Sequence, residues 1–222
     1  MTTASSTSAQ RRRVLCDWIE RGPHTVCVDD TPDWLRPLIS ALRHAQPRQL
    51  STNDPPARQI ADRQAAVLIL LGRPEPGRAD VVLIQRAPGL RDHPGEISFP
   101  GGSWEPGDTS PVGTALREAA EETGLVPAGI APLLLLPRLF IRASGFDVTG
   151  VVGYWHRPSP LAPTDPAETQ RVFCVPLREL AQPHRWHNYT APGWHGPSTR
   201  LDHDTLLWGY TAEVLAFISS NI

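Results

Sequence analysis

Prolines are spread along this chain and predict many ordered loops with proline at their edges. The 222 residues include 24 prolines, against a typical share of about 5 %, and they lie between apolar runs rather than in one tract. Because proline lacks the backbone N–H and interrupts helices and central strands, the pattern predicts short elements joined by ordered loops. The length suits one sizeable α/β or α+β domain with short extensions and leaves little room for two full-sized domains.

Short apolar runs mark the predicted strands and helices. Strands are predicted at residues 65–71, 81–84, 97–99, 133–136, 148–155 and 172–175, with a turn at 72–78. Helices are predicted at 31–44, 110–124 and 211–219. The first of these helices carries an apolar stripe, formed by Trp34, Leu35, Leu38, Ile39 and Leu42. Strands mixed with a few helices indicate an α+β fold in which helices and a sheet form layers.

The first 60 residues differ in character from the rest of the chain. Residues 1–10 are small and polar, which predicts a disordered start, and the proline-rich stretch 45–63 predicts a connection into the main fold. The arginines at 11–13 are not followed by an apolar run, which disfavours an export signal, whereas a transit peptide stays open as an alternative to a frayed terminus. We therefore divide the chain into an N-terminal extension, 1–60, and a main domain, 61–222.

The overall charge and the cysteines exclude some classes of protein. The formal net charge is −2, from 21 basic and 23 acidic residues, which argues against a dedicated binder of nucleic acid or anionic membranes. All the basic residues are arginine, so phosphate contacts would come from forked guanidinium groups or backbone N–H. Three cysteines without metal-type spacing indicate free thiols in a reducing compartment. No apolar stretch approaches the ~20 residues of a membrane span, and we expect a cytoplasmic protein.

The predicted helix at 110–124 carries negative charge where the helix dipole disfavours it. Ser110 suits the N-cap, and Gly124 suits the left-handed position after the end. Three glutamates at relative positions 0, +3 and +4 lie on one side of the last turns, namely Glu118, Glu121 and Glu122. Negative charge at this end costs ~0.3–1 kcal/mol per residue, and like charges at this spacing repel one another.

Two interpretations of these glutamates are open. A solvated acidic face is common on helices, and the spacing alone does not exclude it. The crowding at the unfavourable end favours instead a site for a hard cation, because carboxylate oxygens are the ligands that Mg²⁺, Mn²⁺ and Ca²⁺ take. In this second interpretation, Arg117 can pair with Glu121 and hold one carboxylate in place.

The same residues resemble the Nudix box, G-x5-E-x7-R-E-U-x-E-E-x-G-U. The second half of the motif is present as REAAEETGL, starting at Arg117. The first half departs, because Asp108 stands in place of the glutamate and eight residues rather than seven separate it from Arg117. This longer spacing resembles that of the subgroup of coenzyme A pyrophosphatases.

An upstream signature is similar to the same subgroup. Residues 83–102 read LIQRAPGLRDHPGEISFPGG, and the subgroup carries roughly L-L-T-x-R-S-x-x-L-R-x-H-x-G-E-V-x-F-P-G-G. The residues in register are Arg86, Leu90, Arg91, His93, Gly95, Glu96, Phe99, Pro100, Gly101 and Gly102. With the later segments VFCVPLREL and LLWGYTAEVL, the resemblance spans residues 65–218.

The resemblance implies a Nudix-type α/β/α sandwich with a mixed central sheet and the acidic helix, following an N-terminal helical extension. It implies that the chain hydrolyses coenzyme A to 3′,5′-ADP and 4′-phosphopantetheine. It further implies Mg²⁺ or Mn²⁺ as the cofactor, with Glu118, Glu121 and Glu122 as ligands and one of them as a candidate general base.

The resemblance also assigns supporting residues around the metal. Gly101 and Gly102 let the backbone approach the metal and the phosphates closely. Arg117 orients the glutamates rather than touching the substrate. One further carboxylate ligand is expected from outside the helix, with Glu168 and Glu96 as the candidates.

The basic residues of the upstream signature are candidates for substrate contacts. Arg86 and Arg91 would bind phosphates, including a 3′-phosphate, with a salt bridge between loop and core as the alternative for each. His93 is interpreted as a hydrogen-bonded turn residue. The seven tryptophans are expected mostly in the core; Trp194 and Trp208 could stack on a base, although nothing in the sequence selects them.

Other functions stay open at this stage. A Nudix hydrolase could act on ADP-ribose, a dinucleotide or an oxidised nucleoside triphosphate, and a Nudix-like domain could sense a nucleotide without catalysis. All three glutamates of the box are present, which favours catalysis. The expected partner is a small nucleotide resembling coenzyme A, with no nucleic acid or membrane, and the sequence leaves a homodimer open.

Overall fold

The structure, a computed structural model, describes residues 3–51, 61–72, 79–202 and 205–222. Part of the predicted connection at 45–63 and nearly all of the predicted turn at 72–78 lie outside these residues. The helices are α1 (Thr3–Arg21), α2 (Arg36–Arg43), α3 (Pro47–Leu50), α4 (Pro111–Thr123), α5 (Leu177–Leu180) and α6 (Gly209–Ser219). In the part of the chain described, none of them combines the length and apolar character needed to cross a lipid bilayer.

A mixed sheet forms the centre of the fold. Its strands are β1 (Arg63–Leu71), β2 (Asp80–Arg86), β3 (Ile97–Ser98), β4 (Gly101–Ser103), β5 (Ile130–Leu135), β6 (Leu139–Ile141), β7 (Phe146–Trp155) and β8 (Thr169–Pro176). The order is β3-β2-β1-β7-β5, and β4 pairs with β1, β6 with β7 and β8 with β2. The two long strands β1 and β7 are parallel, whereas β2 and β4 run antiparallel to β1. Both long strands are buried along most of their length, as expected for central strands.

Helices cover both faces of this sheet. Along β1, Ile69 and Leu71 belong to a buried cluster with α2 and α6, whereas Leu68 and Leu70 belong to another with α1 and α4. Because successive side chains of a strand point to opposite faces, this alternation places α4 and α6 on opposite sides of the sheet. The predicted α+β class, an α/β/α sandwich with a mixed central sheet, is confirmed.

The described part of the chain begins with a helix where the sequence predicts a disordered start. Residues Thr3–Arg21 form α1, in which Leu15 and Trp18 are buried. The indole Nε1–H of Trp18 donates to Thr114 Oγ1 of α4 at 3.0 Å. The prediction of a disordered start is wrong because alanine, glutamine and arginine favour helix, and because tertiary packing rather than propensity stabilises short helices.

The helix predicted at 31–44 begins as a 3₁₀ turn and becomes an α-helix only at Arg36. A 3₁₀ turn, Asp33–Leu35, precedes α2, and its winding of about three residues per turn removes Trp34 from the apolar stripe. Trp34 is 48 % exposed and meets the ring of Tyr154 edge to face at 6.2 Å. The other four residues of the predicted stripe are buried, as expected.

A second, smaller sheet is not predicted by the sequence. Its strands are β9 (His187–Ala191), β10 (Trp194–Arg200) and β11 (Leu206–Leu207), in the order β11-β10-β9. The first two are polar and β10 contains Pro197, so neither an apolar run nor a clear alternation marks them. This sheet packs against α6.

Truncation of Trp18 tests the packing of α1. We expect Trp18→Ala to lower the free energy of unfolding by about 3–5 kcal/mol, because a buried indole is removed. Trp18→Phe keeps most of the apolar volume and loses the hydrogen bond to Thr114, which should cost about 1–2 kcal/mol. Urea unfolding followed by circular dichroism measures both variants. Equal stability of Trp18→Ala and the wild type would show that α1 does not pack on α4.

Candidate active site

The acidic helix α4 lies on the sheet through small apolar side chains. Ala115 and Ala119 are fully buried and belong to the cluster that covers β1. At its start, Ser110 Oγ accepts a hydrogen bond from the first turn at 3.2 Å. At its end, Gly124 has φ 68° and donates to the carbonyl four residues earlier. The helix predicted at 110–124 is therefore confirmed, and its opposite side carries the glutamates.

Arg117 connects the acidic residues around α4. Its Nε and Nη2 donate to the two carboxylate oxygens of Asp108 at 3.1 and 3.0 Å. Its Nη2 also donates to Glu118 Oε1 and to Ser103 O, both at 3.0 Å, and its Nη1 donates to Glu121 Oε2 at 2.9 Å. The guanidinium therefore holds carboxylates in place, the arrangement expected of a residue that orients the glutamates.

Asp108 explains the departure from the usual spacing of the box. Besides the two bonds from Arg117, its carboxylate accepts hydrogen bonds from Glu105 N at 3.0 Å and from Thr114 Oγ1 at 2.8 Å. Burial alone would raise the pKa of Asp108, but the hydrogen bonds from Arg117, the Glu105 backbone and Thr114 lower it below its ordinary value. Asp108 has a shorter side chain than glutamate and stands one residue further from Arg117 than the glutamate of the usual box, yet both of its carboxylate oxygens bind the Arg117 guanidinium. The sequence does not indicate this role.

Glu118 packs directly against the glycine pair that begins β4. A Cβ added to Gly102 would lie 2.5 Å from Glu118 Cδ, so any side chain at this position would displace the carboxylate. Burial raises the pKa of Glu118 above its ordinary value, and the guanidinium of Arg117 opposes that shift. Glu118 is therefore a partly buried carboxylate beside bare backbone.

Glu122 reaches the other glycine of the pair. Its Oε2 accepts a hydrogen bond from Gly101 N at 2.8 Å. Gly101 has φ 152°, and a Cβ there would lie 2.5 Å from Ala66 O of β1, so this position requires glycine. Burial raises the pKa of Glu122 to about 8; the bond from Gly101 opposes this shift, whereas the charges of Glu118 and Glu168 add to it.

The structure separates the two candidates for a further carboxylate. Glu168 lies just before β8, where its backbone carbonyl accepts a hydrogen bond from Ala87 N at 2.9 Å, and its charge adds to the rise in the pKa of Glu122. Glu96 instead places its Oε2 2.8 Å from His93 Nδ1. Of the two candidates, Glu168 therefore acts electrostatically on an α4 glutamate, whereas Glu96 is bound to a histidine of its own loop.

The carboxylates of α4 are the type of ligand that a hard divalent cation prefers. Burial raises the pKa values of both Glu118 and Glu122, and the charges of neighbouring carboxylates add to the rise, that of Glu121 for Glu118 and that of Glu118 for Glu122. A bound cation supplies the opposite charge that favours their ionised form. Glu121 is 59 % exposed and bound to Arg117. In the side-chain positions of the described residues, no three acidic, histidine or cysteine side chains form a ready-made metal-binding group. Binding a cation would require these carboxylates to draw together.

Arg86 and Arg91 carry guanidinium groups that pair with no carboxylate of the described residues. Arg86 ends β2, and its Nε is buried without an acceptor in this part of the chain. Its positive charge acts to lower the pKa of Glu122. Arg91 is exposed in the loop between β2 and β3. The alternative of a salt bridge between loop and core is therefore not seen for either residue in the described ranges.

The two tryptophans considered for stacking lie together, Trp194 in β10 of the second sheet and Trp208 between β11 and α6. The ring centroids of Trp194 and Trp208 are 5.4 Å apart, and Tyr189 lies 6.4 and 5.9 Å from them. Because β9 and β10 are not marked by an apolar pattern, the sequence could not place Tyr189 in this cluster.

Comparison with known proteins decides the family. A family model described as the NUDIX domain matches residues 62–196. The chain belongs to the Nudix hydrolase family. Proteins called "Uncharacterized Nudix hydrolase NudL" from Salmonella newport and Salmonella heidelberg are each 36 % identical to it over 167 residues, which cover 73 % of this chain and 84 % of theirs. As a Nudix hydrolase, the chain is a pyrophosphohydrolase of a nucleoside diphosphate derivative.

Solved structures of Nudix proteins are similar at lower identity. A MutT/nudix family protein from Enterococcus faecalis has 20 % identity and a TM-score of 0.48, with 85 % of this chain and 74 % of that chain covered. The Ap4A hydrolase binary complex of C. elegans has 21 % identity and a TM-score of 0.44, covering 53 % and 82 %. The family assignment depends on the NUDIX match and on the NudL relatives.

Neutralising Glu122 should lower the activity of this Nudix hydrolase and raise its free energy of unfolding. We expect Glu122→Gln to lower kcat by at least about 100-fold, because a proposed metal ligand is lost. In excess chelator at pH 7, the variant should be more stable than the wild type by roughly 1–3 kcal/mol. A carboxyl group whose pKa rises from 4.5 to about 8 on folding destabilises the fold as the pH increases between these values.

Activity assays and urea unfolding between pH 5 and 8 measure both effects. Glu20→Gln, at an exposed glutamate of α1, is the matched control and should change neither quantity. Full activity of Glu122→Gln would contradict the assignment and favour a solvated acidic face.

Proposed function

We propose that this Nudix hydrolase cleaves the diphosphate of coenzyme A or its derivatives, giving 3′,5′-ADP and 4′-phosphopantetheine or its acyl form. Support comes from residues 83–102, whose resemblance to the coenzyme A pyrophosphatases distinguishes them from Nudix hydrolases of other substrates. This segment runs from β2 through an exposed loop to β3 and β4. One continuous stretch thus supplies Arg86, Arg91 and the glycine pair Gly101 and Gly102.

The observation that carries the diphosphate part of the proposal is that Arg86 and Glu122 carry opposite charges but form no hydrogen bond with each other. The charge of Arg86 acts on Glu122, yet its Nε donates to no acceptor among the described residues. Buried opposite charges normally pair, because an unpaired one is costly. A guanidinium held beside carboxylates without engaging them is suited to an anionic substrate, while the carboxylates remain available to a cation.

The side chains around this point have distinct roles in the proposed reaction. The proposed ligands of Mg²⁺ or Mn²⁺ are Glu118, Glu121, Glu122 and Glu168. A bound divalent ion would neutralise the diphosphate oxygens and acidify water. The water oxygen forms a bond to one phosphorus, the bond from that phosphorus to the bridging oxygen breaks, and a glutamate accepts the proton. Arg86 and Arg91 bind phosphate oxygens, and Arg117 keeps the glutamates in place.

A substrate panel tests the proposed specificity. We expect turnover of coenzyme A with Mg²⁺ or Mn²⁺, products of the mass of 3′,5′-ADP and 4′-phosphopantetheine, and no turnover in excess chelator. ADP-ribose, a dinucleotide and an oxidised nucleoside triphosphate complete the panel, and Glu122→Gln controls for contaminating activity. Turnover of one of these with coenzyme A untouched would contradict the proposal, as would binding without turnover of any substrate.

Arg91 is the candidate for reading the 3′-phosphate. We expect Arg91→Ala to raise KM for coenzyme A by about 10-fold or more and KM for 3′-dephospho-coenzyme A by much less, because a charge-assisted hydrogen bond to the 3′-phosphate is lost. Steady-state kinetics on both substrates measure the difference. Arg43→Ala, at an exposed arginine of α2 on the other face of the sheet, is the control and should change neither KM. Equal effects on both substrates would assign Arg91 to the diphosphate or to the structure of the loop.

A further inference from the structure

A series of hydrogen bonds connects the N-terminal helix α1 to the acidic side of α4. The Trp18 Nε1–H donates to Thr114 Oγ1 at 3.0 Å, and the Thr114 hydroxyl donates to Asp108 Oδ2 at 2.8 Å. Asp108 also accepts from Arg117 Nε and Nη2 at 3.1 and 3.0 Å. The same guanidinium donates from Nη2 to Glu118 Oε1 at 3.0 Å. The series therefore leads from the N-terminal extension to a carboxylate that we propose as a metal ligand.

The chemical types of its members fix the direction of the series. An indole N–H can only donate, so Thr114 Oγ1 accepts from Trp18 and keeps its own proton for another partner. The carboxylate of Asp108 accepts that proton at 2.8 Å, closer than the alternative acceptor, Ser110 O, at 3.4 Å. A hydrogen bond accepted by a hydroxyl oxygen strengthens the one that the hydroxyl donates. The indole therefore supports the bond from Thr114 to Asp108.

These side chains are shielded from solvent. Trp18 and Thr114 are buried, and the side chain of Asp108 is 8 % exposed. Water offers no alternative partner to a group at this depth, and leaving a buried donor or acceptor without a partner is costly. The protein itself therefore sets the orientation of the Asp108 carboxylate.

A second set of contacts holds the extension against the start of α4. A 3₁₀ turn, Gly22–Thr25, follows α1. A Cβ added to Gly22 would lie 3.3 Å from Cδ of Pro111, the first residue of α4, so the backbone of the turn approaches this helix closely. Next along the chain, Cys27 N donates to Pro132 O of β5 at 2.9 Å. The end of α1 is thus fixed in place by contacts other than the indole bond.

A movement of Asp108 would reach the glutamates through Arg117. The guanidinium is a planar, rigid fork, and it binds Asp108 on one side and both Glu118 and Glu121 through its terminal nitrogens. If the Asp108 carboxylate turned, the fork would have to turn with it or lose one of these bonds. Support of Asp108 by Thr114 therefore restricts the movement of carboxylates further along α4.

We propose that Trp18 and Thr114 are positioning residues for the hydrolytic reaction. They hold Asp108 and, through Arg117, keep the glutamates of α4 in orientations from which a divalent cation can draw them together. Trp18 precedes the matched NUDIX domain, residues 62–196, so the N-terminal extension supplies part of the support of the active site. The proposal rests on the proposed metal ligands of α4 and not on coenzyme A as the substrate.

Two substitutions of Thr114 separate positioning from packing. Thr114→Val keeps the volume and removes the hydroxyl, whereas Thr114→Ser keeps the hydroxyl and removes a methyl group. We expect Thr114→Val to lower both kcat and the affinity for Mn²⁺ by about 10-fold, because side chains that orient metal ligands contribute at least this much. KM for the nucleotide should stay within about 2-fold, since the candidate phosphate contacts are untouched. Thr114→Ser should recover most of both losses.

Titration of Mn²⁺ by electron paramagnetic resonance without substrate measures metal binding separately from turnover. Steady-state kinetics measure kcat and KM. Wild-type values of kcat and Mn²⁺ affinity in Thr114→Val would overturn the proposal. A greater loss in Thr114→Ser than in Thr114→Val would also overturn it, since it would assign Thr114 to packing.

Trp18→Phe removes the donor at the start of the series. We expect a smaller loss of kcat and Mn²⁺ affinity, about 3-fold, because the indole acts one bond further from the metal ligands. In the Thr114→Val background it should cause no further loss, because the hydroxyl through which the indole acts is absent. The same loss in both backgrounds would overturn the role of Trp18.

The matched control is Trp186→Phe. It loses a comparable indole bond, from Nε1 to Leu180 O at 2.8 Å, beside the buried cluster that contains α2 and α6. We expect it to change neither kcat nor Mn²⁺ affinity. An equal loss in Trp186→Phe and Trp18→Phe would overturn the role of Trp18, since it would show a general effect of lowered stability.

Glu118→Gln distinguishes a failure of this proposal from a failure of the proposed metal site. If Glu118→Gln binds Mn²⁺ weakly and Thr114→Val binds it as the wild type does, the ligand assignment stands and the positioning role is overturned. If Glu118→Gln binds Mn²⁺ as tightly as the wild type, the ligand assignment fails, and the positioning role fails with it. If the wild type hydrolyses ADP-ribose and not coenzyme A, the kinetics are measured with ADP-ribose, and the Mn²⁺ titrations are unaffected.

Discussion

The hydrogen bonds of one guanidinium hold the acidic face of α4 in its described form. Arg117 donates to Asp108 before the helix, to Ser103 O at the end of β4, and to Glu118 and Glu121 on its own helix. Without that positive charge, carboxylates on adjacent turns would repel one another and oppose the helix dipole. Lysine could not replace it, because an ammonium group lacks the planar fork that binds both oxygens of Asp108 at once. The helix, the preceding loop and the sheet edge are thus tied together at one residue.

The remaining geometry of the site depends on small residues at both sides of α4. Ala115 and Ala119 are fully buried against the sheet, and small side chains let the helix axis approach the strands closely. At this distance Glu122 reaches Gly101 N at 2.8 Å. Larger residues on the inner side of the helix would move the carboxylates away from β4, and a side chain at Gly102 would collide with Glu118. The packing of the core therefore sets the position of the charged groups.

Local patterns predict much of this molecule, and contacts between distant segments account for what they miss. The caps and apolar side of α4, and the buried runs of β1 and β7, follow from their own residues. The helix α1 is stabilised by Trp18 against α4, and the polar strands β9 and β10 by packing against α6, which no local pattern reveals. In the site, the spacing of Glu118, Glu121 and Glu122 along α4 is enough to predict that they lie on one side of the helix. The electrostatic effects of Glu168 and Arg86 on Glu122 come from the fold, because both residues are distant from α4 in the sequence. The left-handed backbone at His93 is also hidden, since Pro94 and Gly95 mark a turn without showing which residue adopts it.

The charges of the site are arranged so that the protein does not neutralise them fully by itself. Arg117 is bound to carboxylates, whereas Arg86, whose charge acts on Glu122, has a buried Nε with no acceptor in the described residues. A direct bond between Arg86 and Glu122 would relieve the raised pKa of the glutamate and satisfy the arginine, yet Glu122 instead accepts from Gly101 N. With the two kept apart, a cation at the glutamates and an anion at the arginine are each stabilised, and each strengthens the binding of the other. A metal ion together with a diphosphate is the ligand pair that has this charge distribution.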